Sequence, residues 1–265
     1  MKLLKLSFIF LLVISMSSCF TTRDVNISEG MEDYLASEKA ISPIENYSED
    51  RVEVVILAPE ICGCYFEKVT DETEKEEKAP YRCLGFSVNG DNPENDVKKK
   101  IEEDGVKSSY GMLFTDFGDN IKDAMERHLR VYFQEVSVEV VDAESYGDKY
   151  ITTKLDYYSE FARTDNKYLY MKMQMKGYGS TPLDVTGEGI NAMGNGHLAW
   201  MIPVGILTFP LGFAIGAMVL ENVETQLIGF TVAEAIDNAA AEMSKKIAES
   251  PALARSGPIK IVVSM

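Results

Sequence analysis

The sequence predicts an α+β fold: a mostly antiparallel sheet with two amphipathic helices on one face and an apolar loop insertion. Three patterns carry that reading. Ile151 to Phe161 and Leu169 to Met175 alternate apolar with charged residues at period two. The stretches after Asp116 and after Thr231 place apolar residues three or four apart. Leu198 to Leu220 runs 23 residues without a charge.

The 265 residues are 46% hydrophobic and 26% charged, a globular composition with room for one or two domains. Lys and Arg number 26 against 42 Asp and Glu, a formal charge of −16. That balance speaks against sequence-independent binding of nucleic-acid phosphates or anionic lipids.

Residues 1–18 carry Lys2 and Lys5, the apolar run Phe8 to Ile14, and the small residues Ser15, Ser17 and Ser18 before Cys19. This is the layout of a secretory signal peptide. Its removal takes two lysines and no acids, leaving a charge of −18. Met16-Ser17-Ser18-Cys19 resembles the lipobox of bacterial lipoproteins, with Met16 where Leu is usual. The resemblance implies acylation of Cys19, including palmitate, and anchoring to a membrane. Phe20 in place of an Asp after that cysteine implies the outer membrane, facing the periplasm. Acyl chains contribute about 0.8 kcal/mol per buried methylene, so no basic patch is needed for attachment.

The elements then follow in order. Residues 19–50 read as a lipidated tether with a short helix near Met31 to Lys39, and residues 51–265 as a single domain. Val52 to Ala58 is an apolar run with the look of a central strand buried on both faces. Cys64 to Val69 and Arg82 to Val88 are short strands around the charged loop Thr70 to Lys78, and Asp91 to Gly105 is similarly hydrophilic. Phe117, Ile121, Met125, His128, Leu129 and Tyr132 share a helical face, with Asp116 as cap and Asp119 complementing the dipole. His128 lies on that apolar stripe as a packed helix residue.

Strands follow at Val136 to Val141, in a hairpin of Ile151 to Phe161 with Leu169 to Met175 turned at Thr164-Asp165-Asn166, and at Leu183 to Gly187. Met171, Met173 and Met175 fill the core. Thr231-Val232-Ala233-Glu234 has the form of a capping box for a helix over 232–248, and Ile259 to Val263 is the last strand.

Chemistry is sparse. Cys62, Cys64 and Cys83 remain after Cys19 in a compartment that permits disulfides; Cys62 or Cys64 can pair with Cys83, leaving one thiol over. Free buried thiols are the alternative, and a metal site lacks a fourth ligand nearby. Gly187-Glu188-Gly189-Ile190-Asn191-Ala192 matches a dinucleotide-binding pattern, but the required acid would fall inside the apolar span, so a Gly-rich turn is the simpler reading. No nucleophile elbow, phosphate loop or zinc-protease motif occurs, so no catalytic residue, metal or cofactor is expected.

The apolar span is long enough for a helix of about 34 Å, which would cross a bilayer. Yet residues 221–265 hold one helix and one strand, too little for a core of their own. A re-entrant hairpin bending at Thr208-Phe209-Pro210 keeps both ends on one side, with Trp200 near the rim. Trp200, Pro203, Leu207, Phe209, Pro210 and Phe213 are then the expected contacts to membrane or partner. The element order resembles small α/β lipoproteins of envelope transport and assembly: the lipopolysaccharide-assembly lipoprotein E, the curli-secretion lipoprotein and the auxiliary lipoproteins of ABC transporters. That resemblance implies a non-catalytic, membrane-anchored lipoprotein that binds a protein partner or a second copy of itself, without nucleic acid. The alternative is a subunit of an oligomeric outer-membrane pore, with 198–220 as the transmembrane segment.

Overall fold

A computed structural model of the chain describes residues 21–37, 48–68, 81–88, 91–105, 110–141, 159–161, 168–178, 183–192, 211–250 and 257–264. Their elements run β1 (Thr21–Asn26), α1 (Ile27–Leu35), β2 (Ser48–Leu57), β3 (Cys62–Lys68), β4 (Tyr81–Ser87), α2 (Pro93–Asp104), β5 (Tyr110–Thr115), α3 (Phe117–Leu129), β6 (Phe133–Val141), β7 (Ser159–Phe161), β8 (Tyr168–Tyr178), β9 (Leu183–Ala192), α4 (Leu211–Ala248) and β10 (Ile259–Ser264). The fold is α+β. Its strands form two five-stranded sheets, in the orders β1-β5-β3-β4-β7 and β6-β2-β10-β8-β9.

The sheets are mixed, which corrects the expectation of a mostly antiparallel one. β1 runs parallel to β5, and β2 runs parallel to both β6 and β10. Parallel neighbours need long crossovers. The stretch from β3 to α3 separates β2 from β6, and α4 carries the chain from β9 to β10.

The second sheet buries one face. Val52, Val54 and Ile56 of β2, Ile259, Ile261 and Val263 of β10, and Met171, Met173 and Met175 of β8 all lie inside it. The methionine row is core, as its spacing indicates. β2 sits between β6 and β10 as expected, but Arg51 is exposed and Glu53 and Val55 are half-buried, so only one of its faces is covered. The expected hairpin is also revised. β7 pairs with β4 in the first sheet, whereas β8 pairs with β9. Alternation reveals a strand's buried face but not its neighbour; residues 151–158 and the turn Thr164 to Asn166 lie outside the described residues.

Two hydrophilic stretches turn out to be structured. Thr21–Asn26 is an edge strand and Ile27–Leu35 a helix, with Val25, Ile27, Met31 and Tyr34 in the core, so residues 21–35 of the expected tether belong to the folded body, and the expected short helix lies four residues earlier than predicted. Asn26 Oδ1 accepts from the Glu29 amide at 3.2 Å and caps α1. Pro93–Asp104 is helical as well: Pro93 opens it, Val97 and Ile101 share its buried face, and Gly105 ends it at φ 67°. Tyr65 donates to Asp104 at 2.6 Å, fastening α2 to the first sheet, and Lys100 of the same helix bridges that carboxylate at 3.0 Å. The Tyr65 hydrogen bond holds the Asp104 carboxyl below its ordinary range.

α3 occupies its expected span, but its cap differs. Asp116 stands at φ 58° and its side chain makes no capping bond; it accepts instead from Ser28 at 3.3 Å, while Asn120 returns a side-chain bond to the Asp116 carbonyl at 2.7 Å. α4 overturns the capping box altogether. It is 38 residues long, so Thr231 and Glu234 lie inside it. Its first ten residues, Leu211 to Leu220, belong to the apolar span, which in that half is helix and not loop. Among the described residues no helix is long and apolar enough to cross a membrane.

Candidate functional site

The cysteines resolve in part. Cys62 and Cys64 stand two apart on β3, both buried. Cys64 is in a disulfide and Cys62 is free. Burial pushes the Cys62 thiol up to about 12, which makes it a poor nucleophile. The chain has four cysteines, so the partner of Cys64 is Cys19 or Cys83; the side chains of both lie outside the described residues. β3 and β4 pair so that Cys64 stands opposite Gly85 and Phe66 opposite Cys83, which puts Cys83 two positions along the adjacent strand. A Cys19 occupied by acyl groups would leave only Cys83. Peptide mapping of the unreduced protein should therefore yield a Cys64–Cys83 peptide pair, with Cys62 alkylated only after denaturation; a Cys19–Cys64 pair would exclude acylation. No cluster of three metal-ligating side chains occurs among the described residues.

Of the expected membrane or partner contacts, Trp200, Pro203, Leu207, Phe209 and Pro210 lie outside the described residues. Phe213 falls on the first turns of α4, its side chain also outside them.

The dinucleotide-like motif serves neither a cofactor nor a turn. Gly187 and Gly189 lie within β9, where α4 crosses so closely that a Cβ on either would collide with the helix backbone at Ala235 or Thr231. Polar side chains of α4 then reach the free edge of the strand. Glu234 accepts from the Ile190 amide at 3.0 Å, Asn238 donates to the Glu188 carbonyl at 2.7 Å, and Lys246 donates to the Asp184 carbonyl at 2.7 Å. Spaced by multiples of four, they line one side of the helix and shield an edge that could otherwise pair with another chain. Thr231 and Glu234, the supposed capping pair, both bind the Asn191 side chain. A groove of about 880 Å³ lies beside them, lined by Tyr132, Thr186, Asn238, Glu242, Lys245 and Lys246 among others. Its acids and lysines are mixed and select no ligand charge.

The most concentrated polar chemistry is buried. Asp237 of α4, fully enclosed, accepts through Oδ1 from Arg127 at 2.6 Å and lies 2.6 Å from His128 Nε2, both residues of α3. Tyr34 of α1 is fully buried against the same carboxylate; burial first, then the Asp237 charge, raises its hydroxyl above the ordinary phenol value. Burial alone would raise the Asp237 carboxyl, but the bonds and charges of His128 and Arg127 hold it below the usual range. The sequence pointed to His128 as a packed residue and missed its partners. The available signal was Asp237 itself, an acid on the stripe of Ala233, Ile236 and Ala240. A His–Asp pair can serve acid–base catalysis, but this one is 3% and 0% exposed and does not line the groove beside β9. It acts as a fastening of three helices.

Comparison with family models, curated proteins and solved structures finds no match. The chain's own geometry therefore carries the functional reading.

Proposed function

We propose that the protein is a non-catalytic lipoprotein of the bacterial cell envelope, anchored by Cys19 to the outer membrane on its periplasmic side. There it binds a protein partner in a transport or assembly complex, with residues 198–220 docking to membrane or partner. The single observation behind this reading is the start of β1 at Thr21, two residues after Cys19. Two residues span at most about 7 Å, so acylation at Cys19 would hold the folded body against the bilayer with no free tether. Such a body meets partners within or beside that membrane.

Flotation on vesicles tests both parts. Wild-type protein should incorporate labelled palmitate and float, and Cys19→Ala should lose the label and most of the flotation. Residual flotation of Cys19→Ala should fall further when Phe209→Asp is added. Palmitate incorporation that survives Cys19→Ala would overturn the anchor, and a residual flotation indifferent to Phe209→Asp would remove the apolar docking.

A further inference from the structure

The cover that α4 lays over the free edge of β9 has one gap. Glu234 bonds the Ile190 amide, Asn238 the Glu188 carbonyl and Lys246 the Asp184 carbonyl. Four helix residues rise about 6 Å and two strand residues about 6.7 Å, so helix and strand keep step along this edge. Glu242 is the remaining member of the row, at the level of Thr186. Peptide groups of an antiparallel strand point alternately toward and away from the neighbour. The β8–β9 register is regular, so the outward bonds at Asp184, Glu188 and Ile190 place the Thr186 N–H and C=O on the outer side too. Thr186 is exposed, and no group among the described residues bonds it there. The side chains of Glu242 and Lys245 likewise engage no partner among the described residues. All three residues line the groove of about 880 Å³ beside β9, a volume that suits a small ligand.

We propose that this gap binds a free peptide of about three residues, its central residue pairing with Thr186 as one more step of strand. The covered carbonyls on either side, at Glu188 and Asp184, stand about 13 Å apart along β9. A longer strand would have to displace Asn238 or Lys246, whereas three residues span about 10 Å and fit between them. A single residue that exchanges both N–H···O bonds with Thr186 must run antiparallel to β9. Its amino end then points toward Glu188 and its carboxylate end toward Asp184. The charges of the groove are laid out in the same sense. Lys245 and Lys246 stand at the Asp184 end of α4, and Glu242 precedes them by a turn, on the side of Glu188. The Asp184 carboxylate is turned to the Gln174 amide, which donates to it at 3.0 Å. Mixed signs that would select neither an anion nor a cation suit a ligand carrying one charge at each end.

The site requires neither acylation of Cys19 nor residues 198–220, so its failure leaves the envelope reading standing. Calorimetric titration of the full chain in detergent, with tri-alanine as the probe, should show saturable binding. N-acetyl-tri-alanine, which lacks the ammonium, should bind about threefold more weakly, as should tri-alanine to Lys245→Ala, each losing one solvated charge pair. Tri-alanine N-methylated at its central residue, which lacks the N–H given to the Thr186 carbonyl, should bind about fivefold more weakly, the loss of one hydrogen bond. Thr186→Pro removes the outward N–H without touching the β8 ladder and should cost about the same factor. The N-methyl peptide leaves the protein unaltered, so the test stands whether or not that variant folds. No binding of tri-alanine at millimolar concentration, or equal binding of its N-methyl form, would overturn the site.

Discussion

Gly187→Ala should be among the most damaging single substitutions in the protein, costing about 3 kcal/mol or more, at the upper end of what overpacking a core does. A Cβ there would overlap the Ala235 carbonyl and the Ala239 amide, and would stand 2.7 Å from the Ala239 Cβ. The obstacle is helix backbone, which cannot rotate away as a side chain can. Relief requires α4 to move off β9, and with it the bonds from Glu234, Asn238 and Lys246 that cover the strand edge. Gly30→Ala should behave alike, because α1 crosses α4 at Gly229 with a Cβ position only 2.7 Å from the Phe230 amide. Gly105→Ala is the control. Its φ is 67° but nothing lies within 4 Å of its Cβ position, so the cost should be about 1 kcal/mol, that of a left-handed residue with a side chain. Urea unfolding of the three variants checks this; a Gly187→Ala midpoint equal to that of Gly105→Ala would mean that α4 does not pack so closely.

The same glycines show where the sequence was legible. Periodicity located α3, the methionine row of β8, β6, β9 and β10, because each buries one face of a regular element and that period survives in the residues. It could not locate β1 and set the helix α1 four residues late, because this polar stretch buries only four or five side chains, nor could it distinguish α2 from a charged loop although Pro93, Val97, Ile101 and Gly105 mark a helix. Pairing was beyond reach for a different reason: β7 joins β4 and β8 joins β9 by tertiary competition among similar strands. Gly187 and Gly189 were visible as a motif, but a glycine needed for close approach looks the same in sequence as one needed for a turn. The Thr-x-x-Glu pattern misled similarly, since cap and edge cover both require an acceptor on one side of a helix. Of the buried cluster the sequence displayed His128 but not its partner, which lies 109 residues away.

Asp237→Ala should cost about 3–5 kcal/mol, because it leaves the buried His128 and the half-buried Arg127 without the carboxylate that both bind. The loss is larger than the pair's net worth, since much of it is the desolvation of the partners left behind. A double-mutant cycle with His128→Ala separates the two: once the imidazole is gone, removing Asp237 should cost less, giving a coupling of about 1–3 kcal/mol. Additive losses would show that the 2.6 Å pair contributes nothing beyond packing. Titration gives an independent check. The folded Asp237 carboxyl lies below its ordinary value, so the unfolded chain takes up its proton at a higher pH than the folded one does. Its contribution is therefore complete above the ordinary carboxylate range and is lost as pH falls through the depressed folded value. Asp237→Asn, which keeps an acceptor but not the charge, should start from lower stability at neutral pH and show a shallower decline toward acid than wild type. Parallel declines would place the acid-labile carboxylates elsewhere, with Asp104, held down by Tyr65 and Lys100, the next to test. The cluster joins α1, which directly follows the strand nearest Cys19, to the two helices that cover the second sheet. Its failure should therefore loosen the attachment of the folded body to its own N-terminal strand, and acid-treated protein should become cleavable after Lys or Arg near Arg23 before the second sheet unfolds.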